Sequence, residues 1–131
     1  MKQFKKIAII ISIATIILVL ASCATNQAST LNPGQYVIKG EKSIFDLKVE
    51  IFESGEFTFH FSMLSSYFPH GKWNVKGNRL ELKTDDGMNI YMFDIDGDNL
   101  IFDQPNSSEI KQYQGDTILN DKDVFKLEAT S

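Results

Sequence analysis

The stretch "GKWNVKGNRLELKTDDGMNIYMFDIDGDNLIFD", Gly71–Asp103, decides the fold. Its bulky apolar residues recur at every second position and are interrupted at short intervals by Gly77-Asn78, Asp86-Gly87 and Gly97-Asp98. Such dipeptides favour tight hairpins, because glycine or a short polar side chain tolerates positive φ. Taking each as a two-residue turn pairs Val75 with Leu80, Trp73 with Leu82, Leu82 with Tyr91, Leu80 with Phe93, Ile95 with Leu100 and Phe93 with Phe102. All the large side chains then share one face. A slip of one residue at any turn would send a whole row to solvent, so this agreement predicts a four-stranded antiparallel meander with Trp73 inside.

The same period extends outward from this stretch. In "FDLKVEI" the residues Phe45, Leu47, Val49 and Ile51 alternate with charged ones, and in "FTFHF" so do Phe57, Phe59 and Phe61 with Thr58 and His60. A three-residue loop Glu53-Ser54-Gly55, with Gly55 left-handed, sets Ile51 opposite Phe57, Val49 opposite Phe59 and Leu47 opposite Phe61. "GQYVIKG", Gly34–Gly40, echoes "GKWNVKG", Gly71–Gly77, and predicts a first strand; "DVFKLE" predicts a last one with Phe125 and Leu127 inward. No segment repeats apolar residues at helical spacing. About eight strands with one apolar face must close on themselves, which predicts an all-β, up-and-down antiparallel meander forming a lipocalin-like barrel. With 10 Phe and 4 Tyr in the chain, the interior is expected to be mostly solid.

The amino terminus predicts location. Lys2, Lys5 and Lys6 precede an uncharged apolar run, Ile7–Leu20, that is shorter than the roughly 20 residues needed to span a bilayer core. Leu20-Ala21-Ser22-Cys23 follows and resembles the lipobox of bacterial lipoproteins. That resemblance implies a signal peptide over residues 1–22, diacylation of Cys23 and export to the outer face of the cytoplasmic membrane. Residues 23–33 then form a lipidated, flexible tether and residues 34–131 the barrel domain. The chain has one cysteine, so no internal disulfide can form, and acylation accounts for a thiol that an exported protein would otherwise avoid. Two acyl chains anchor stably where one would not. Without the three signal lysines, 10 basic residues face 17 acidic ones, a net charge of −7 that argues against nucleic acid and anionic headgroups as partners.

Sites are harder to read. Asp94, Asp96 and Asp98 alternate as in an EF-hand loop, but glycine falls fourth instead of sixth and Pro105 stands where glutamate is needed. His60 and His70, expected to be solvated, are too few for zinc. Ser65 and Ser66 lie near His70 without a nucleophile elbow. No cofactor is expected. Two groups remain as candidate contacts: the loop residues Ser65, Ser66, Tyr67, Phe68 and His70, and an outward apolar set, Ile90, Met92 and Ile101. The irregular connection Pro105–Asp123 is a further loop of the kind that carries function.

"LSSYFPHGKWNVKGNRLELKTDDGMNIYMFDIDGDNLIFDQPNSSEI", Leu64–Ile110, resembles a small extracellular module of Gram-positive bacteria. That module occurs in short lipoproteins and is appended to some BlaR-type membrane metallopeptidase regulators. The likeness rests on Leu64-Ser65-Ser66-Tyr67 with Pro69 and Gly71, on Leu82–Gly87, on Leu100–Asp103 and on Ser107-Ser108. The chain departs from it after Ile110, where Lys111 replaces a proline, and at "DKDVFK". The resemblance implies an envelope-facing accessory or sensing domain and transfers no catalytic residue. The expected function is therefore a non-enzymatic, lipid-anchored binding or sensing domain, with a lipocalin-like carrier and an envelope hydrolase as alternatives.

Overall fold

The computed structural model describes residues 30–61, 68–110 and 119–129. Eight strands follow one another: β1 (Gly34–Ile38), β2 (Lys48–Ile51), β3 (Glu56–His60), β4 (His70–Lys76), β5 (Arg79–Thr84), β6 (Ile90–Asp96), β7 (Asn99–Asp103) and β8 (Val124–Leu127). Each pairs antiparallel with the next, and β8 returns to β1 through Tyr36–Leu127 and Ile38–Phe125, closing the barrel. Closure removes the unpaired edges that would otherwise template association.

The registers follow the apolar alternation. Val49 faces Phe59 and Ile51 faces Phe57. Across β4–β7 the pairs Val75–Leu80, Trp73–Leu82, Leu82–Tyr91, Leu80–Phe93, Ile95–Leu100 and Phe93–Phe102 all form. Gly55 sits at φ 90, with the Phe52 N–H donating to the Glu56 carbonyl across the three-residue loop. Gly77 and Gly97, at φ 62 and 59, turn the two-residue hairpins.

Rings fill the interior. Phe59 meets Phe61, Tyr91, Phe93 and Phe125 edge-on at centroid distances of 5.2 to 6.2 Å, and Phe93 also meets Phe102 at 5.4 Å. Edge-to-face contact sets the positive rim of one ring against the negative face of another, adding to what burial contributes.

Four expectations need correction. The strand expected to begin at Phe45 begins at Lys48, because Gly40–Phe45 forms a 3-10 helix and Asp46 turns left-handed at φ 51. Leu47 nonetheless keeps its phase and is buried. The turn at Asp86-Gly87 opens to four residues, closed by the Thr84 N–H on the Asn89 carbonyl. The cause is Thr84: its hydroxyl bonds Asp86 and accepts the Asn89 N–H, while Asp86 accepts the Met88 N–H. The register is unchanged. Trp73 faces inward but is only half buried, because β4 runs on past the β3 pairing and its overhanging half pairs with β5 alone. Its indole N–H donates to the Phe52 carbonyl at 2.9 Å. His60 is not freely solvated: it stacks on Phe68 at 4.3 Å and bonds Glu50 at 3.1 Å.

The alternation of strand directions sorts the connections between the two ends of the barrel. One end holds the start of β1, the Phe52–Gly55 loop, the Gly77-Asn78 and Gly97-Asp98 tips and the end of β8. Here Leu31 is buried, the Tyr36 hydroxyl donates to the Asn32 carbonyl, and the Asn32 amide donates to Asp98. The opposite end carries the Gly40–Phe45 helix, the β3–β4 connection, the Asp85–Asn89 turn and the long β7–β8 connection. The three longest connections, β1–β2, β3–β4 and β7–β8, are therefore all on the side opposite to where the chain enters.

Candidate functional site at the loop-bearing end

Of the first candidate group, Ser65, Ser66 and Tyr67 lie outside the described residues, as does Cys23. Phe68 and His70 are described. The Phe59 N–H donates to the Pro69 carbonyl at 2.8 Å, which holds this stretch against β3 and leaves Phe68 folded over His60. His70 donates from Nδ1 to the Phe68 carbonyl, and its Nε2 lies 3.6 Å from an Asp85 carboxylate oxygen. Both partners of that pair are mostly exposed, so water screens the attraction and it contributes little. Exposed apolar side chains at this end include Phe68 and, on the β5–β6 turn, Met88 at 79 % exposure, while Phe52 is exposed at the other.

Ile90, Met92 and Ile101 lie on the outer face, in the register expected, and all three are half buried. Strand β6 outruns β7, whose last pair is Met92–Asp103. The backbone groups of β6 beyond that point must find other partners. A short 3-10 turn at Gln104–Asn106 brings Ser107 and Ser108 alongside. The Ser107 hydroxyl accepts the Met92 N–H at 2.8 Å, the Ser108 hydroxyl accepts the Ile90 N–H at 2.9 Å, and the Ser108 N–H donates to the Ile90 carbonyl. Two hydroxyls thus complete the ladder where strand carbonyls stop.

Asp103 anchors this arrangement. It is buried, accepts from Arg79 at 2.5 Å and Asn106 at 2.8 Å, and its carboxyl is held below the ordinary carboxylate range by Asn106 and Arg79 against the opposing effect of burial. Arg79 also reaches Asp94, which Lys122 approaches at 3.8 Å. Asp94 is therefore committed to a structural ion-pair network. Asp98 is occupied by Asn32 at the other end, and Asp96 stays exposed at the hairpin tip. Asp86 is likewise lowered by the hydroxyl of Thr84 and the backbone N–H of Met88. Among the described residues, no three His, Cys, Asp or Glu side chains converge as a metal site.

The described parts of the β7–β8 connection, 104–110 and 119–123, pack at this end. Leu119, fully buried, returns into the core, and Ile110 packs against it. The Phe102 N–H donates to the Asp123 carbonyl while the Phe102 carbonyl accepts from Lys122, so two residues oppose one in a bulge, with Lys122 left-handed at φ 68. Lys42 of the Gly40–Phe45 helix meets Asp123 at 2.5 Å. Between the end of β7 and Ser107–Ile110 a hollow of about 260 Å³ remains, floored by Phe102 and Leu119 and rimmed by Gln104, Ser108 and Glu109. The sequence marks the whole connection as irregular but offers no periodicity that would single out Gln104, Glu109 or Leu119.

Among the described residues no helix is long and apolar enough to cross a membrane. Compared with known protein families, curated proteins and solved structures, the chain finds no match. What the site can do is therefore argued from its own residues: a packed scaffold presents its longest loops, the side chains of Phe68 and Met88 and one small hollow at this end.

Proposed function

We propose that this protein is a non-catalytic binding or sensing domain, held by a lipid on Cys23 to the outer face of a Gram-positive cytoplasmic membrane, that offers its loop-bearing end to an envelope partner. One observation carries the reading: the chain enters the barrel at the end opposite its three longest connections, β1–β2, β3–β4 and β7–β8. A tether of about seven residues, from Cys23 to the point where Leu31 docks in the core, reaches on the order of 15 Å as a flexible coil. Anchored so, the barrel stands with its short hairpin tips toward the bilayer and its loops toward the wall. The ring-filled interior argues against carriage of a ligand inside the barrel, since an eight-stranded interior holds side chains or one small ligand. The residues Phe68, His70 and Met88 offer contact surface at the outward end. The likeness of Leu64–Ile110 to the module of BlaR-type regulators agrees with an accessory role.

The test has two arms. Cys23→Ser should abolish fatty-acid labelling and move the protein from the detergent phase to the aqueous phase. Membrane cross-linking with the anchored protein should then yield a partner whose capture is lost in Phe68→Ser with Met88→Ser and kept in Phe52→Ser, at the tethered end. Capture that ignores the loop-end substitutions contradicts the assignment.

A further inference from the structure

The structure assigns a ligand class to the hollow beside Ser107–Ile110: we propose that it receives a lysine side chain, an alkyl ammonium carried on a peptide of the envelope partner. This rests on the loop-bearing end being the binding end. A volume of about 260 Å³ is below the roughly 300–1,000 Å³ of small-molecule sites yet suits one long side chain. Phe102 and Leu119, each 1 % exposed, close its base, and half-buried Ile110 offers the apolar surface along which a methylene stem can lie. Its rim supplies acceptors. The Ser108 hydroxyl is fixed by the Ile90 N–H, and the Gln104 amide oxygen is fixed by the Asp121 N–H, each with a lone pair to spare. Glu109 adds a full negative charge.

Charge accounting separates this hollow from two others. At the tethered end, a larger one holds Asp98, which accepts from the neutral Asn32 amide, and Glu128, which Lys39 approaches at 3.9 Å. On the β3–β4 surface, Glu56 lies 3.9 Å from Lys72 and Asp85 lies 3.6 Å from His70. Glu109, by contrast, makes no ion pair among the described residues. An ammonium held among the rim groups of Ser108, Gln104 and Glu109, with its stem along Ile110, would place its charge against that carboxylate. The acidic balance of the exported chain also favours approach by cations.

The experiment titrates the full-length lipoprotein, ¹⁵N-labelled in detergent micelles, with an acetylated and amidated Gly-Lys-Gly peptide and with its norleucine and glutamate counterparts. Saturable shifts confined to Gln104, Ser107–Ile110 and Leu119 are expected with lysine. Norleucine keeps the stem and loses the charge, so it should bind about tenfold more weakly, and Glu109→Gln should weaken lysine by about the same factor. Glu109 is exposed, so that variant should fold. Absence of saturable shifts, equal affinity for norleucine, or an unchanged affinity in Glu109→Gln overturns the assignment. If lysine peptides fail while the Phe68 and Met88 substitutions still abolish partner capture, the ligand class falls and the binding end stands.

Discussion

Phe59 on β3 and Phe93 on β6 meet edge-on at 5.8 Å, although two strands separate them around the wall. The curl of the sheet into a closed barrel brings them together. Each also touches Phe125 on β8, so three walls share one ring cluster.

Truncating Phe93 to alanine removes a ring that is fully buried and contacts three others, including Phe102. The loss should be about 3 to 5 kcal/mol in denaturant unfolding, the range for large-to-small changes in a core. A loss under about 1 kcal/mol would mean the ring is not packed as described.

Gly71 has a different vulnerability. A Cβ there would lie 2.0 Å from the Lys83 carbonyl oxygen and 2.8 Å from the Thr84 Cα, both backbone atoms that cannot swing aside. Gly71→Ala should therefore cost about 3 kcal/mol or more, at or above the upper end for overpacking. Gly40 is the control: at φ 85 with open space around it, Gly40→Ala meets only the backbone cost of a left-handed alanine, about 1 to 2 kcal/mol. Equal effects of the two would deny the close approach of β4 and β5.

Much of this was legible in the sequence because period-two alternation and turn dipeptides report the same register independently. Val75–Leu80 and Phe93–Phe102 needed nothing else. What escaped were features set by side-chain bonds or by overhang. Thr84 widens its turn through a hydroxyl, Trp73 projects past β3, and Lys122 occupies a left-handed bulge position where glycine is usual. The hollow escaped for a similar reason: Leu119 and Glu109, ten positions apart, line it together, and local pattern carries no trace of that.

Acid should act through Asp103. Its folded pKa lies below the ordinary carboxylate value, so its stabilising effect is present above about pH 4 and is lost as pH falls below that value. Denaturant midpoints measured at neutral pH and at about pH 3 should differ less in Asp103→Asn than in the parent. An equal acid loss in both proteins would remove Asp103 from the account.

Alkali should act through Tyr36. Burial, and secondarily the charge of Asp98, push its phenol from 10.0 up to about 12. Since the folded pKa is raised, the stability it contributes is complete below about pH 10 and is lost as pH rises toward 12. Titrating tyrosinate absorbance should show one late step that Tyr36→Phe deletes. A late step surviving in the variant would assign it to another tyrosine.

The orientation of the barrel on its tether tests the central claim most directly. Single thiol probes at Asn78→Cys, on a hairpin tip of the tethered end, and at Met88→Cys, on the opposite turn, can be attached to the lipidated full-length protein on vesicles carrying a headgroup quencher. Strong quenching at position 78, weak quenching at position 88 and loss of both when Cys23→Ser is introduced are the predicted results. Stronger quenching at position 88 than at position 78 would contradict the account, because the loops would then face the bilayer.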